Sequence, residues 1–164
     1  MTKSSNTHNT VEEIVADLWY QYPPAKSAVT MSKCFTCDSG ARSGHVCTVC
    51  LTEQLAKLTS ISFARRFNLA LIALRTVEAE LPDEQTEEMQ TAISHIWKNA
   101  KINASSDVVQ PCPICKTGKA ALHCNCLICS LYQLKPLLKR GLANRLFNAI
   151  TEVVHTEFLI RNYR

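Results

Sequence analysis

Cys34-Phe-Thr-Cys37-Asp-Ser-Gly-Ala-Arg-Ser-Gly-His-Val-Cys47-Thr-Val-Cys50 and Cys112-Pro-Ile-Cys115-Lys-Thr-Gly-Lys-Ala-Ala-Leu-His-Cys124-Asn-Cys126-Leu-Ile-Cys129 contain all nine cysteines of a 164-residue chain. In the first stretch, two Cys-x-x-Cys pairs are separated by nine residues. Each pair presents two sulfurs from a single turn, and four sulfurs in two such pairs suit the tetrahedral preference of zinc. Cys34, Cys37, Cys47 and Cys50 therefore read as one structural zinc site, with a short hairpin between the pairs. Gly40 and Gly44 are the residues there best able to take a positive φ.

The second stretch offers five cysteines for four positions. Alignment with the first selects Cys112, Cys115, Cys126 and Cys129, which makes two Zn2+ per chain. Cys124 then falls opposite Val46 and reads as a small buried hydrophobe. The competing reading is an alternative ligand or a redox-sensitive thiol beside the metal. His45 and His123 precede the third ligand of each set. Three roles stay open for them: replacing a cysteine, donating a ring N–H to a thiolate or carbonyl, or facing solvent.

Moving outward, the similarity extends beyond the metal stretches. An offset of 78 residues places Trp19 on Trp97, Cys34 on Cys112, Gly40 on Gly118 and His45 on His123. One inserted residue near Cys124 then aligns Cys47 with Cys126, and Gln54-Leu55 with Gln133-Leu134. A second, at Leu146, aligns Phe67-Asn68 with Phe147-Asn148. The tryptophan and the Gln-Leu dipeptide are not needed to bind metal, so the chain reads as a tandem repeat. The units are 1–81 and 82–164, each built as helix, zinc loop and long helix, and packed as one body with pseudo-two-fold symmetry.

In the first unit, Thr10-Val-Glu-Glu13 has capping-box spacing. Val11, Ile14, Val15, Leu18, Trp19 and Tyr22 mark one helical face, and Pro23-Pro24 end it. In the second unit, Asp83 is the expected cap of a helix running past Trp97. The long helices are expected to begin at or just after Cys50 and Cys129. They should carry apolar residues through Val77 and Val154, with Pro136 tolerated only close to the start of the second and Gly141 weakening or bending it.

The order of knuckle, hairpin and second cysteine pair at a helix start resembles the treble-clef group of zinc modules. GATA-type fingers and nuclear-receptor DNA-binding modules share that order. The resemblance spans Cys34 to about Leu58 and Cys112 to about Leu137, and it implies DNA reading through the helix after the second pair. The nine-residue spacer is shorter than GATA fingers use, and the helices that follow are more apolar than a groove-reading helix. The resemblance therefore extends to architecture and assigns no family.

Composition narrows the function. Hydrophobic residues make up 46% and charged residues 20%, the balance of a folding chain. Aromatics at 7% and only four glycines argue for a mainly α fold over a many-stranded β fold. Met1–Asn9 has no apolar signal segment, and Phe67–Leu74 is too short to span a membrane. Cysteines in metal-type pairs fit an intracellular protein, cytoplasmic or nuclear, better than a disulfide scaffold. No P-loop or catalytic motif is present, and sites closed by four thiolates leave no position for a catalytic water, so no enzyme is expected.

Charge is uneven. Residues 1–110 carry ten Lys/Arg against twelve Asp/Glu, and residues 111–164 carry eight against two. Lys116 and Lys119 on the second metal hairpin, with Lys135, Lys139, Arg140, Arg145 and Arg161 beyond it, form a candidate nucleic-acid surface. The leading reading is a zinc-binding regulator acting on DNA or on a DNA-bound complex. The alternative is a zinc-stabilised protein-interaction adaptor or inhibitor, with homodimerisation one use of its apolar helices.

Overall fold

Thr10 starts the first helix as the sequence predicts. In the computed structural model, which describes residues 10–24, 30–42, 46–104 and 109–164, its hydroxyl accepts the Glu13 N–H at 3.2 Å. Helix α1 (Val11–Gln21) buries Ile14, Val15 and Leu18 and stops before Pro23. Strands β1 (Met31–Lys33) and β2 (Gly40–Arg42) then pair antiparallel, Lys33 opposite Gly40 and Met31 opposite Arg42. Helices α2 (Thr48–Leu58) and α3 (Ile61–Glu78) follow.

The same order recurs downstream. Helix α4 (Glu87–Ala104) precedes β3 (Val109–Pro111) and β4 (Lys119–Ala121), paired with Pro111 opposite Lys119 and Val109 opposite Ala121. Helix α5 (Leu127–Leu134), a 3-10 turn (Lys135–Leu137) and α6 (Leu142–Arg161) complete the chain. The protein is mainly helical, with six α-helices and two two-stranded hairpins among the described residues. No helix among them is long and apolar enough to cross a membrane.

Several sequence expectations about helices need correction. The long helices are each broken. Thr59 leaves the helix at φ −129°, ψ −108°, and its hydroxyl turns back to the Leu55 carbonyl. Ser60 then restarts the chain by accepting the Phe63 N–H at 3.1 Å, an N-cap bond. In the second case Pro136 is accommodated in the 3-10 turn, and Gly141 adopts φ +84° before α6. The cap of α4 is also displaced. The helix starts at Glu87, and it is Thr86 whose hydroxyl accepts the Met89 N–H at 3.2 Å.

The chain divides into two compact units, Met1–Arg75 with Leu159–Arg164, and Thr76–Phe158. The sequence reading divided it at 81/82. Unit 1 is built around Ile14, Leu18, Leu51, Leu55, Phe67, Leu71 and Leu74, all fully buried. Burying each such side chain contributes about 1.5–3 kcal/mol. Trp19 lies edge-on to Phe67 at 6.5 Å, with the Arg75 guanidinium over its ring, so it is half core and half cover. Unit 2 is built around Ile96, Leu134, Leu142, Leu146, Ile150 and Val153.

Candidate metal centres

Each hairpin presents its first cysteine pair at the turn. Cys34 follows β1 directly, and its N–H donates to the Ser39 carbonyl, extending the ladder by one step. Cys112 follows β3 and donates to the Gly118 carbonyl at 2.8 Å. The chain must then reverse so that the second cysteine faces the first. The residue after it takes the left-handed conformation in both hairpins, Asp38 at φ 65° and Lys116 at φ 63°. These residues carry the positive φ that the sequence reading placed on Gly40; Gly44 and His45 lie outside the described residues.

The second cysteine pair sits on a helix start. Cys47 and Cys126 are the N-caps of α2 and α5, which places Cys50 and Cys129 in the first turn. The helices thus begin earlier than the sequence predicts. The positive end of each helix dipole faces the sulfurs, a setting that favours thiolate.

The result is two groups of four sulfurs, Cys34, Cys37, Cys47 and Cys50 in unit 1 and Cys112, Cys115, Cys126 and Cys129 in unit 2. Within each group all four Sγ atoms lie within 4.8 Å of one another. Individual separations are 3.5 Å for Cys37–Cys47, 4.0 Å for Cys34–Cys50 and 3.8 Å for Cys115–Cys126. A tetrahedral ion with metal–sulfur bonds near 2.3 Å requires edges of about 3.8 Å. A disulfide requires about 2.05 Å, and all nine cysteines are free thiols. Each group could hold one metal ion.

Backbone amides already prepare the sulfurs for negative charge. Cys34 Sγ accepts N–H groups from Thr36 at 3.3 Å and Cys47 at 3.2 Å. Cys112 Sγ accepts from Cys126 at 3.2 Å, and Cys115 Sγ accepts from Gly118 at 3.3 Å. Burial pushes the Cys34 thiol up, but the amides of Cys47, Thr36 and Cys37 outweigh it and hold it at about 6. The Gly118 amide and the Thr117 hydroxyl and amide hold Cys115 at about 6. Burial, followed by the neighbouring thiols, pushes Cys50 and Cys129 the other way. Four thiols this close cannot all ionise alone. A dication at the centre would let all four be thiolates.

Residues outside the groups also have definite places. Cys124 is buried, and burial raises its thiol against the opposing charge of Lys98. His123 is exposed at φ 64° and lies outside the four-sulfur group. The extra residue of the second hairpin lies in the turn after Cys115, not near Cys124. Gly40 opens β2 three residues after Cys37, whereas Lys119 opens β4 four residues after Cys115. From the last strand residue to the third cysteine the count is five in both, Arg42 to Cys47 and Ala121 to Cys126. Ala41 and Ala120, both buried, thus occupy matching places.

Sequence reasoning missed the side-chain amides that tie each hairpin to the preceding helix. Gln21 Oε1, at the end of α1, accepts the Arg42 N–H at 3.0 Å. Asn99 Oδ1, on α4, accepts the Ala121 N–H at 2.9 Å. These two residues stand 78 apart, the same offset as the tryptophans, which is the one signal that could have found them.

The predicted basic residues have different surroundings. Lys116 and Lys119 are exposed on the second hairpin, and Lys135 Nζ lies 4.8 Å over the ring of the exposed Tyr132. Arg140 is exposed next to Gly141. Arg145 instead donates to both carboxylate oxygens of Glu80, one at 3.0 Å, and Lys139 lies 3.6 Å from the same carboxylate. Arg145, then Lys139, holds the Glu80 carboxyl below its usual value. Arg161 belongs to unit 1.

No protein-family model matches the chain, and neither a curated protein nor a solved structure matches it.

Proposed function

We propose that this protein is a zinc-stabilised, non-enzymatic, intracellular regulator that binds nucleic acid through unit 2, with one structural Zn2+ in each cysteine group. An all-sulfur, tetrahedrally spaced donor set is the chemistry of structural zinc, and it leaves no open position for a reacting water. We read the chain as two copies of one module. Matching left-handed residues after the second cysteine, matching N-cap cysteines and matching amide ties at Gln21 and Asn99 support that reading.

The observation that carries the nucleic-acid reading is the exposed set of Lys116, Lys119 and Lys135, with Tyr132 63% exposed beneath the Lys135 ammonium. Cations neutralise phosphates, and an exposed ring offers a base a stacking surface. Lys139 and Arg145 are assigned a supporting role, because Glu80 already compensates their charge. The experiment is fluorescence anisotropy on labelled single-stranded and duplex DNA across a salt series. Wild type should lose affinity steeply with salt, and changing Lys116, Lys119 and Lys135 together to Ala should flatten the log–log slope by about 3. An unchanged slope would remove this surface from the reading.

A second reading rests on Ile114, Leu122 and Ile128, apolar side chains more than half exposed on the same hairpin and helix start. They fit an adaptor that docks a protein partner. Salt-insensitive, stoichiometric complex formation lost in Ile128→Asp, without DNA affinity, would replace the first reading.

A further inference from the structure

The peptide unit joining Asn125 to Cys126 is held at both ends. Its N–H donates to Cys112 Sγ at 3.2 Å. Its carbonyl accepts the Asn99 Nδ2 at 2.7 Å. The same Nδ2 also donates to the His95 carbonyl at 2.6 Å, and Oδ1 accepts the Ala121 N–H at 2.9 Å. Asn99 is only 3% exposed, so none of these bonds competes freely with water. Asn125 is tied further: its N–H lies 3.3 Å from His95 Nδ1, and its side-chain Nδ2 donates to Gln133 Oε1 at 3.0 Å.

We propose that Asn99 is the positioning residue of the second metal centre, orienting the Asn125–Cys126 peptide so that its N–H is aimed at the Cys112 sulfur, and that this makes the second centre hold its metal more tenaciously than the first. A bond into a peptide carbonyl polarises the same peptide's N–H and strengthens what that N–H donates to. Groups behind metal ligands commonly change affinity by about 10–100-fold when removed. The first centre has only half of the device. Cys47 N–H does donate to Cys34 Sγ at 3.2 Å, but Gln21 contributes one bond, to Arg42 N–H. Its Nε2 is buried with no partner among the described residues.

This inference rests on each cysteine group holding a metal. The test uses the full chain loaded with 113Cd2+, whose two NMR signals are assigned with Cys37→Ser and Cys115→Ser. Release of each ion to excess chelator is then timed. Wild type should lose the second-centre ion about 10-fold or more later than the first. Asn99→Asp keeps the acceptor for Ala121 N–H but replaces the donor with a carboxylate oxygen facing two carbonyls. Asn99→Leu keeps the volume and removes both functions. Both variants should shift only the second signal and speed only its release, by about 10–100-fold. A purely structural role would lower the melting temperature and leave release unchanged, which would overturn the proposal. If Asn99→Asp does not fold, Asn99→Leu decides alone; if neither folds, equal release rates of the two wild-type ions overturn the proposal and a slower second ion supports it. A wild-type chain that takes up no cadmium would overturn the metal reading itself, a separate failure from wild-type loading with unaltered variants.

Discussion

The two cysteine groups share their ligand spacing almost residue for residue, yet they are anchored differently. In the first, Cys47 caps α2 without a side-chain bond, and the hairpin is tied to α1 through Arg42, whose N–H donates to Gln21 Oε1 and whose guanidinium donates to the Tyr20 carbonyl at 2.6 Å. In the second, Cys126 Sγ accepts the Cys129 N–H at 3.4 Å, and Asn99 ties both the hairpin and the peptide before Cys126 to α4. The turn after Cys115 also carries one more residue than the turn after Cys37. Cysteine spacing specifies that four sulfurs converge. The ties that fix each hairpin to the preceding helix come from side chains well upstream, Gln21 for the first and Asn99 for the second.

Removal of one ligand tests the independence of the two centres most severely. Cys50→Ser should reduce the metal content from two ions to one by elemental analysis. Hydrogen exchange should show lost protection in α2 and the first hairpin, with α5 spared. Metal binding contributes on the order of 10–16 kcal/mol to folding in small zinc peptides, so the effect should be large. Retention of both ions, or collapse of both centres together, would contradict two separate sites.

The glycines of the two hairpins offer a narrower contrast. A Cβ on Gly118 would lie 2.9 Å from Cys126 Sγ and 3.3 Å from Cys115 Sγ. On Gly40 it would meet only the flexible end of Met31, at 3.7 Å. Gly118→Ala should therefore destabilise by about 1–3 kcal/mol in thermal denaturation, as overpacking does, and should perturb the cobalt–thiolate absorption of the second centre. Gly40→Ala should stay within about 0.5 kcal/mol of wild type. Equal effects would mean that the close approach of Gly118 to the sulfurs does not set the second site apart.

The smallest effect is expected at the Glu80–Arg145 pair of unit 2. The folded carboxyl lies below its unfolded value, so the pair contributes stability above the unfolded value, about pH 4.3. That contribution is lost as pH falls through the folded value. Arg145→Ala should lower the melting temperature slightly at neutral pH, and the difference should vanish in acid and shrink in high salt. A difference that persists in acid would assign Arg145 a packing role instead.

Local signals were legible wherever cause and effect lie within one turn of chain. Thr10 caps α1 because its hydroxyl reaches an amide three residues on, and the Cys-x-x-Cys pairs converge because each pair occupies one turn. The breaks at Thr59-Ser60 and Pro136–Gly141 were harder to read. Apolar periodicity continues across them, since both helical segments on either side still face a core. The displaced cap at Thr86 has a similar cause, as Asp83 and Thr86 are both capping residue types and only the fold selects between them.

From its order of residues alone, the chain declares eight cysteines in two sets of four, a mainly helical scaffold and a basic second half. These follow from metal stereochemistry, helical periodicity and charge, which act at short range along the chain. Folding alone decides that Asn99 reaches the Asn125–Cys126 peptide 26 residues away, and that Arg145 turns to Glu80 across 65 residues. Both depend on which backbone groups packing leaves buried and in need of a partner, and that need arises only once distant segments have met.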